Sequence, residues 1–223
     1  YDNSLFITAL IETFQVTENP EFSDYANDAL SYIDKDMTSS EGAFFSAEDA
    51  DSEGVEGKFY IWSKEEVESI LGRQTSSIFI PFFNITKDGN FEQKNILNQT
   101  RTYKELAKEL GLTEDTVIAE LSSARKKLLQ ERSKRIRPLL DDKVLTSWNG
   151  LMISAMAKAG RVLEDADRIS KAEKAMTFIL ASLKTRKGIL LRRFREGEVR
   201  YNGYLFDYSS IAVACLELYE ATY

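Results

Sequence analysis

Residues 145–151 read Leu-Thr-Ser-Trp-Asn-Gly-Leu and lead into a strongly apolar part of the chain. From residue 151 to residue 163, apolar side chains occur nearly all round a helical projection, which predicts a helix that is buried on more than one side. The pattern Leu-x-x-Trp-x-x-Leu returns 60 positions later as Leu-x-x-Tyr-x-x-Ile in residues 205–211. A second apolar helix is therefore expected to start there.

The beginning of the chain has the same organisation, so the sequence contains an internal repeat. In each copy, a helix that is apolar nearly all round precedes a helix with one apolar stripe, and a glycine and a hairpin follow. The two copies are residues 3–17, 20–38 and Gly42, and residues 151–163, 166–185 and Gly188. Repeated helical hairpins stack and share one core. A buried inner layer with an outer layer of striped helices is typical of a double-layered α/α toroid, in which the helices starting near residues 3, 149 and 208 lie side by side.

Each predicted inner helix starts with an aromatic residue beside polar groups. The three starts are Tyr1-Asp2-Asn3, Trp148-Asn149-Gly150 and Asp207-Tyr208-Ser209. Helix N-termini present N–H groups without intrahelical partners. Brought to one end of a toroid, these starts would line a bowl of aromatic rings, carboxylates and amides, which suits a sugar. Helix capping and core packing are the alternative explanation of the same residues.

A second unusual stretch, residues 46–54, reads Ser-Ala-Glu-Asp-Ala-Asp-Ser-Glu-Gly and holds four carboxylates in six positions. Aromatic residues at 44–45 and 59–62 flank it, which predicts two short strands with the acidic run as their hairpin loop. The run could serve acid/base chemistry, bind a cation, hydrogen-bond to ligand hydroxyls, or be a solvated loop. It imitates the start of an EF-hand loop, but Tyr60 occupies the position of the bidentate Glu, so no metal is predicted.

Smaller signals complete the local predictions. Capping-box patterns at Ser63 and Thr102 predict helices that end near Gly72 and Gly111. Residues 113–134 predict a long helix whose basic end is interpreted as solvated rather than as a nucleic-acid site. Gly188 opens a hairpin with its turn at residues 195–198, and Cys215 is interpreted as a small core residue.

Composition excludes several classes of function. The chain has 223 residues, 43% hydrophobic and 29% charged, which suits a globular protein. Its net charge of −7 disfavours nucleic-acid binding. No run approaches the length of a membrane span and no signal peptide is visible. The single Cys215 excludes an internal disulfide and indicates a reducing compartment, so a cytoplasmic location is expected.

The chain contains no histidine. Within these residues, this excludes Ser-His-Asp and Cys-His catalysis and every His-ligated metal site. Proton transfer would have to use Asp, Glu, Tyr, Lys or water. Because the chain opens on Tyr1 rather than Met, we interpret it as a piece of a longer protein.

Several long motifs resemble the YyaL / spermatogenesis-associated protein 20 family. They are residues 1–3, 45–54, 56–60 with Trp62, 89–92 and 141–151. The resemblance implies a mainly α fold, an incomplete (α/α)6 toroid of the six-hairpin glycosidase type with short β-hairpins between helix pairs, similar to N-acylglucosamine 2-epimerases. Residues 1–223 would form a single fragment of that toroid domain. The thioredoxin-like domain that precedes it in full-length members and the last hairpins would lie outside this chain.

The resemblance and the residues together predict a toroid that binds or processes a saccharide through an acidic and aromatic bowl. An enzyme of this kind would be carboxylate-based and glycoside hydrolase-like, or sugar isomerase-like, although histidines perform the proton transfer in the epimerases. The predicted acid/base residues are Glu48, Asp49, Asp51, Asp142 and Asp207, with Asp141 as a further candidate. The predicted ligand-binding residues are Tyr1, Asp2, Asn3, Trp62, Trp148, Asn149 and Tyr208. No cofactor is expected.

A non-catalytic role is the alternative prediction. The same acidic and aromatic surface could dock the thioredoxin-like domain of the full-length chain or another protein. An open arc of a toroid would also leave apolar edges exposed, so self-association of the fragment is expected.

Overall fold

The computed structural model describes residues 1–223 and is mainly helical, with eight α-helices and seven short strands. The chain divides into two compact units. We call residues 1–48 with 140–223 the layered unit, and residues 49–139 the inserted unit, since they interrupt the first in sequence. Each unit is described by itself. None of the eight helices combines the length and the apolar character that a membrane crossing requires.

The elements follow one another in this order. They are α1 (Asp2–Thr17), α2 (Pro20–Asp36), β1 (Ala47–Glu48), β2 (Asp51–Ser52), β3 (Val55–Glu56), α3 (Lys64–Phe82), α4 (Tyr103–Leu110), α5 (Glu114–Arg132), β4 (Leu140–Asp141), β5 (Val144–Leu145), α6 (Thr146–Val162), α7 (Ala166–Ser182), β6 (Leu191–Arg195), β7 (Glu198–Asn202) and α8 (Leu205–Thr222). The strands form three small antiparallel sheets, β1–β4, β2–β3 and β5–β6–β7.

Helix α6 is the centre of the layered unit. It packs against α1, α7 and α8, and eleven of its seventeen residues are buried. At one end of α6, the Trp148 ring lies 5.0 Å from that of Tyr1, and at the other end Lys158 Nζ lies 2.6 Å from Glu12 Oε1. Helix α1 therefore runs parallel to α6.

Helix α8 runs parallel to α6 as well. The Ser147 N–H bonds Asp207 near the starts of the two helices, and Arg161 pairs with Glu217 and Glu220 near their ends. The prediction that α1, α6 and α8 lie side by side is therefore confirmed, with their N-termini at the same end. Helices α2 and α7 pack against α1 and α6 as outer partners.

The predicted burial of α1 and α8 is wrong in part. Each helix buries only one face, and Leu5, Phe6 and Leu216 are more than half exposed. Cys215, predicted to be a core residue, is also exposed. An apolar face becomes core only where another element covers it, and in this chain α6 alone has such elements on several sides.

The internal repeat is confirmed at the level of hydrogen bonds. After α2, the Phe45 N–H donates to Met37 O at 2.9 Å, and after α7 the Leu191 N–H donates to Leu183 O at 2.8 Å. Both connections turn at a glycine with positive φ, 95° at Gly42 and 82° at Gly188. Corresponding residues are 146 positions apart throughout these two segments. The two copies therefore share one backbone conformation.

The predicted hairpin around the acidic run is wrong in its pairing. Strand β1 pairs with β4, with Ala47 opposite Asp141, rather than with residues 59–62. A tighter hairpin forms inside the run, where β2 pairs with β3 across Glu53 and Gly54. These two residues have φ of 54° and 74°, and two successive positive φ values match the twist of a two-residue hairpin.

The inserted unit has its own core, to which α3, α4 and α5 contribute residues such as Val67, Phe79, Leu106 and Val117. Both predicted capping boxes are present, at Ser63 with Glu66 and at Thr102 with Glu105. Helix α4 stops at Gly111 as predicted. Gly72 breaks α3 with φ 74° and ψ 168° but does not end it, because residues 73–82 resume the helix and bury more apolar side chains.

Gly150 sets the distance between α6 and α8. A Cβ at this position would lie 2.7 Å from Ser210 Cβ and 2.8 Å from its carbonyl carbon. We expect Gly150→Ala to lower the free energy of unfolding by about 1–3 kcal/mol through overpacking, despite the higher helix propensity of Ala. Urea denaturation measures this. Ser154→Ala in the same helix is the control and should change little, and a stabilised Gly150→Ala variant would contradict the tight contact.

Lys158 joins all three parallel helices, since its ammonium contacts Glu12 of α1 and Glu217 of α8. Burial alone would lower the pKa of Lys158, but hydrogen bonds and charges from the two carboxylates outweigh it and raise the pKa. A raised folded-state pKa gives stability that is complete below the unfolded pKa and is lost as the pH rises through the folded pKa.

We therefore expect Lys158→Met to lower the free energy of unfolding near neutral pH by about 1 kcal/mol. The difference from wild type should shrink once the pH exceeds the raised pKa of Lys158, because both proteins then lack the charge. Chemical denaturation from pH 7 to about 12 measures this difference. Lys187→Met, at an exposed lysine, is the control. A difference that does not change with pH would assign the effect to packing.

Candidate functional site

Aromatic side chains gather where the three parallel helices begin. Tyr1 is 51% exposed, and its ring lies 5.0 Å from that of the partly exposed Trp148, at 51° to it. Tyr208 on α8 is 40% exposed. Asp2 and Asn3 are exposed in the first turn of α1. We call this end of the layered unit the aromatic end. It combines ring faces, a carboxylate and an amide that solvent can reach.

Asn149 is buried and fully engaged with the backbone. Its Oδ1 accepts from the Phe44 N–H at 2.8 Å, and its Nδ2 donates to Phe44 O at 2.9 Å and to Leu145 O at 3.0 Å. The side chain therefore acts as a strand partner for Phe44 and attaches the first repeat to α6. Asn149 was predicted to bind a ligand. Because its amide is engaged with the backbone, it can contribute to a binding site only by positioning neighbouring residues.

Tyr208 makes the corresponding attachment in the second repeat. Its hydroxyl oxygen accepts from the Leu190 N–H at 3.0 Å. Leu190 follows Gly188 by two positions, just as Phe44 follows Gly42. The hydroxyl thus orients the ring, whose remaining surface is partly open to solvent.

Asp207 connects the starts of α6 and α8. It is fully buried, with Oδ1 accepting from the Ser147 N–H at 3.0 Å and Oδ2 from the Tyr204 N–H at 2.8 Å. Arg192 Nη1 lies 3.4 Å from Oδ2. Both carboxylate oxygens are therefore occupied, and the group holds the aromatic end together.

The other predicted carboxylates of the layered unit also have partners. Glu48 Oε2 accepts from the Tyr32 hydroxyl at 2.8 Å, and Asp142 Oδ1 lies 2.7 Å from Arg195 Nε. Asp142 lines a cavity of about 250 Å³. Burial would raise the pKa of Asp141, but contacts from Lys143 and the Ser46 hydroxyl outweigh it and hold the pKa below its ordinary value.

Asp49, Asp51 and Trp62 belong to the inserted unit, and the other ten predicted site residues, Asp141 included, belong to the layered unit. Asp49 Oδ1 accepts from the Asp51 N–H at 3.1 Å, and both side chains are exposed. Trp62 is only 3% exposed. The Arg135 guanidinium lies 3.9 Å from the centre of its ring and donates to Ile61 O at 2.8 Å. Trp62 therefore packs under a cation here and presents little surface to a ligand.

Two residues of the aromatic end were not predicted from the sequence. Tyr204 is exposed and precedes α8 as its N-cap, as Tyr1 precedes α1, and Arg192 lies 5.0 Å from its ring centre. Tyr204 could have been found from the sequence, because an aromatic residue directly precedes both α1 and α8. No sequence signal pointed to Arg192, because only the pairing of β6 places it beside the Tyr204 ring.

The calcium alternative gains no support from the geometry. The structure brings together no group of three or more Asp, Glu, His or Cys side chains in an arrangement that could hold a metal ion.

No protein-family model matches the chain. Along its whole length it is similar to human spermatogenesis-associated protein 20, with 29% identity over 256 aligned positions, and to the rat protein of the same name, with 30% identity. This chain is a distant homologue of spermatogenesis-associated protein 20. An uncharacterised protein of Caenorhabditis elegans is 28% identical over 98% of the chain. The chain spans about a third of the length of these relatives.

The homology agrees with the resemblance seen in the sequence motifs. Because about two thirds of each relative lies outside the match, it assigns no activity to this chain. What the aromatic end does must be argued from its own geometry.

Removing the Asn149 side chain tests how the aromatic end is built. We expect Asn149→Ala to lower the free energy of unfolding by about 2–4 kcal/mol, since it leaves the buried Phe44 N–H and C=O without partners. Asn3→Ala, at an exposed position on α1, is the control and should stay close to wild type. Denaturant unfolding measures both, and equal stabilities would show that water replaces the amide.

Proposed function

We propose that the layered unit is an arc of an (α/α)6 toroid and that its aromatic end binds a saccharide. The observation that carries the proposal is the contact of the exposed Tyr1 ring with the partly exposed Trp148 ring at the shared N-terminal end of three parallel helices. Tyr208 is a further partly open aromatic residue in the first turn of α8 at this end. The apolar faces of a sugar ring pack against aromatic side chains, whose geometry is well suited to flat, amphipathic ligands.

The helix arrangement supports the toroid part of the proposal. In an α/α toroid the inner helices run parallel and each is followed by an outer helix that returns in the opposite direction. Here α1 and α6 run parallel, and each packs against the helix that follows it, α2 or α7. Helix α8 continues the parallel series. The rest of such a ring would come from chain beyond these residues, for which the longer relatives leave room.

The polar groups of the aromatic end supply hydrogen bonds in this proposal. Asp2 and Asn3 are exposed in the first turn of α1, where helix amides without intrahelical partners also face outward. Asn149 and Asp207 are buried behind this surface and position it. A saccharide would thus stack on Tyr1, Trp148 and Tyr208 and bond to groups of α1.

Any turnover of the saccharide would use carboxylates, because the chain contains no histidine. Hydrolysis needs one protonated and one ionised carboxyl group, about 6.5–9.5 Å apart in an inverting enzyme. Asp49 and Asp51 are exposed, whereas Glu48, Asp142 and Asp207 are engaged with Tyr32, Arg195 and backbone amides respectively. Because the carboxylates of the layered unit are engaged, we propose saccharide binding as the function of the aromatic end.

A docking role is the second candidate, and the exposed apolar residues of α1 and α8 favour it. Phe6, Phe206 and Leu216 are each more than half exposed. Such side chains suit a protein partner, either the thioredoxin-like domain that the resemblance implies or a second copy of the chain. A fragment that sediments as a monomer and binds glycans would favour the saccharide proposal over this one.

Trp148 offers a direct test of saccharide binding. We expect members of a glycan array to change the tryptophan fluorescence of the protein, and Trp148→Leu to weaken their binding, measured by calorimetry, at least about tenfold. Tyr219→Leu is the matched control, because Tyr219 is an exposed aromatic residue near the opposite end of α8. Failure of every glycan to bind, or equal loss in both variants, would contradict the proposal.

A further inference from the structure

A cavity of about 520 Å³ lies along α3 of the inserted unit. Lys64 and Glu68 line it from the helical segment before Gly72, and Arg73, Ser76 and Ile80 line it from the segment after. The break at Gly72 changes the direction of the helix, so the two segments form the walls of a cavity that a straight helix could not make.

Ser76 is the unusual residue of this cavity. It is 97% buried, and its hydroxyl has no hydrogen-bond partner in the protein. Other helical serines of the chain donate to a carbonyl three or four residues earlier, as Ser77 does to Gln74 and Ser154 does to Gly150. For Ser76 the carbonyl four residues earlier belongs to Gly72, whose non-helical ψ of 168° turns it out of the helical direction. The break therefore leaves a buried donor unsatisfied, at a cost in stability.

The charges around the cavity favour an anion. Arg73 has no ion-pair partner, and Lys64 shares its charge with Glu68, whose Oε1 is 3.9 Å away. Arg73 also opens the helical segment 73–82, and the positive end of a helix dipole attracts anions. Ile80 and Pro81 form an apolar wall beside these groups.

We propose that this cavity binds a phosphate group through the Arg73 guanidinium and the Lys64 ammonium, with the Ser76 hydroxyl turning from its enclosed position to bond the phosphate. The volume exceeds that of a phosphate ion and falls within the range of small-molecule sites. The apolar wall gives room for the organic part of a phosphate monoester. This site does not depend on saccharide binding by the layered unit.

Chemical-shift titration of the backbone amides of the full chain tests the site. Inorganic phosphate, added at constant ionic strength, should shift the amides of residues 73–77. Arg73→Met and Ser76→Ala should each raise the dissociation constant about tenfold. Glu68→Gln should lower it severalfold by removing a like charge. Lys104→Met, at an exposed lysine of α4, is the matched control and should leave it unchanged.

Stability provides a second readout for Ser76. Without phosphate, Ser76→Ala should raise the Tm by about 2–4 °C, since it removes a buried hydroxyl that has no partner. Wild-type protein should gain stability as phosphate is added, and the Ser76→Ala variant should gain much less. If Ser76 had only a structural role, the stability of the wild-type protein would not rise above that of the Ser76→Ala variant as phosphate is added.

A parallel titration with phenyl phosphate identifies the source of the phosphate group. Tighter binding than inorganic phosphate assigns the site to a phosphate ester, and equal binding assigns it to free phosphate; both results support the proposal. Absence of shifts at residues 73–77, or binding that Arg73→Met and Ser76→Ala leave unchanged, would overturn it.

Discussion

The layered unit depends on the close parallel packing of α6 with α8 at Gly150. No side chain separates the two helices there, since a Cβ on Gly150 would overlap Ser210. This approach brings the Ser147 N–H within hydrogen-bond distance of the Asp207 carboxylate and aligns Arg161 with Glu217 and Glu220. Dispersion and burial act over short distances, so a helix held this close on several sides becomes the core of the unit. Everything at the aromatic end takes its position from α6.

The internal repeat uses the same attachment twice, with different chemistry. In one copy an amide side chain, Asn149, binds the backbone of Phe44, and in the other a phenol, Tyr208, binds the backbone of Leu190. Both side chains lie at the start of the next inner helix. The inserted unit hides this regularity in the sequence, because its 91 residues separate α1 from α6. When these residues are left out, the separation in sequence between Tyr1 and Trp148 is close to the 60 positions between Trp148 and Tyr208.

The inserted unit shows how a motif can mislead when it is assigned a function from composition. Trp62 follows the acidic run and was predicted to bind a ligand. Its ring instead lies under Arg135, which also donates to the carbonyls of Phe59 and Ile61 and lies 3.7 Å from Glu66. A planar guanidinium can stack on a ring and direct its N–H groups to several acceptors in its own plane, a geometry that the ammonium of a lysine lacks. The cluster thus orders the segment after the acidic run.

Apart from the second half of α3, the sequence by itself determined the helices, their caps and the repeat, because these depend on side-chain periodicity and on contacts between near neighbours. The capping boxes at Ser63 and Thr102 and the stop at Gly111 are local interactions of this kind. Only the tertiary structure decided which apolar faces are covered, that Cys215 is exposed, and that β1 pairs with β4 across the inserted unit's 91 residues of sequence. It also decided that Asn149 and Asp207 are buried, since their partners, Phe44 and Ser147, are distant in sequence. Burial and long-range pairing are properties of the assembled core, and no local pattern contains them.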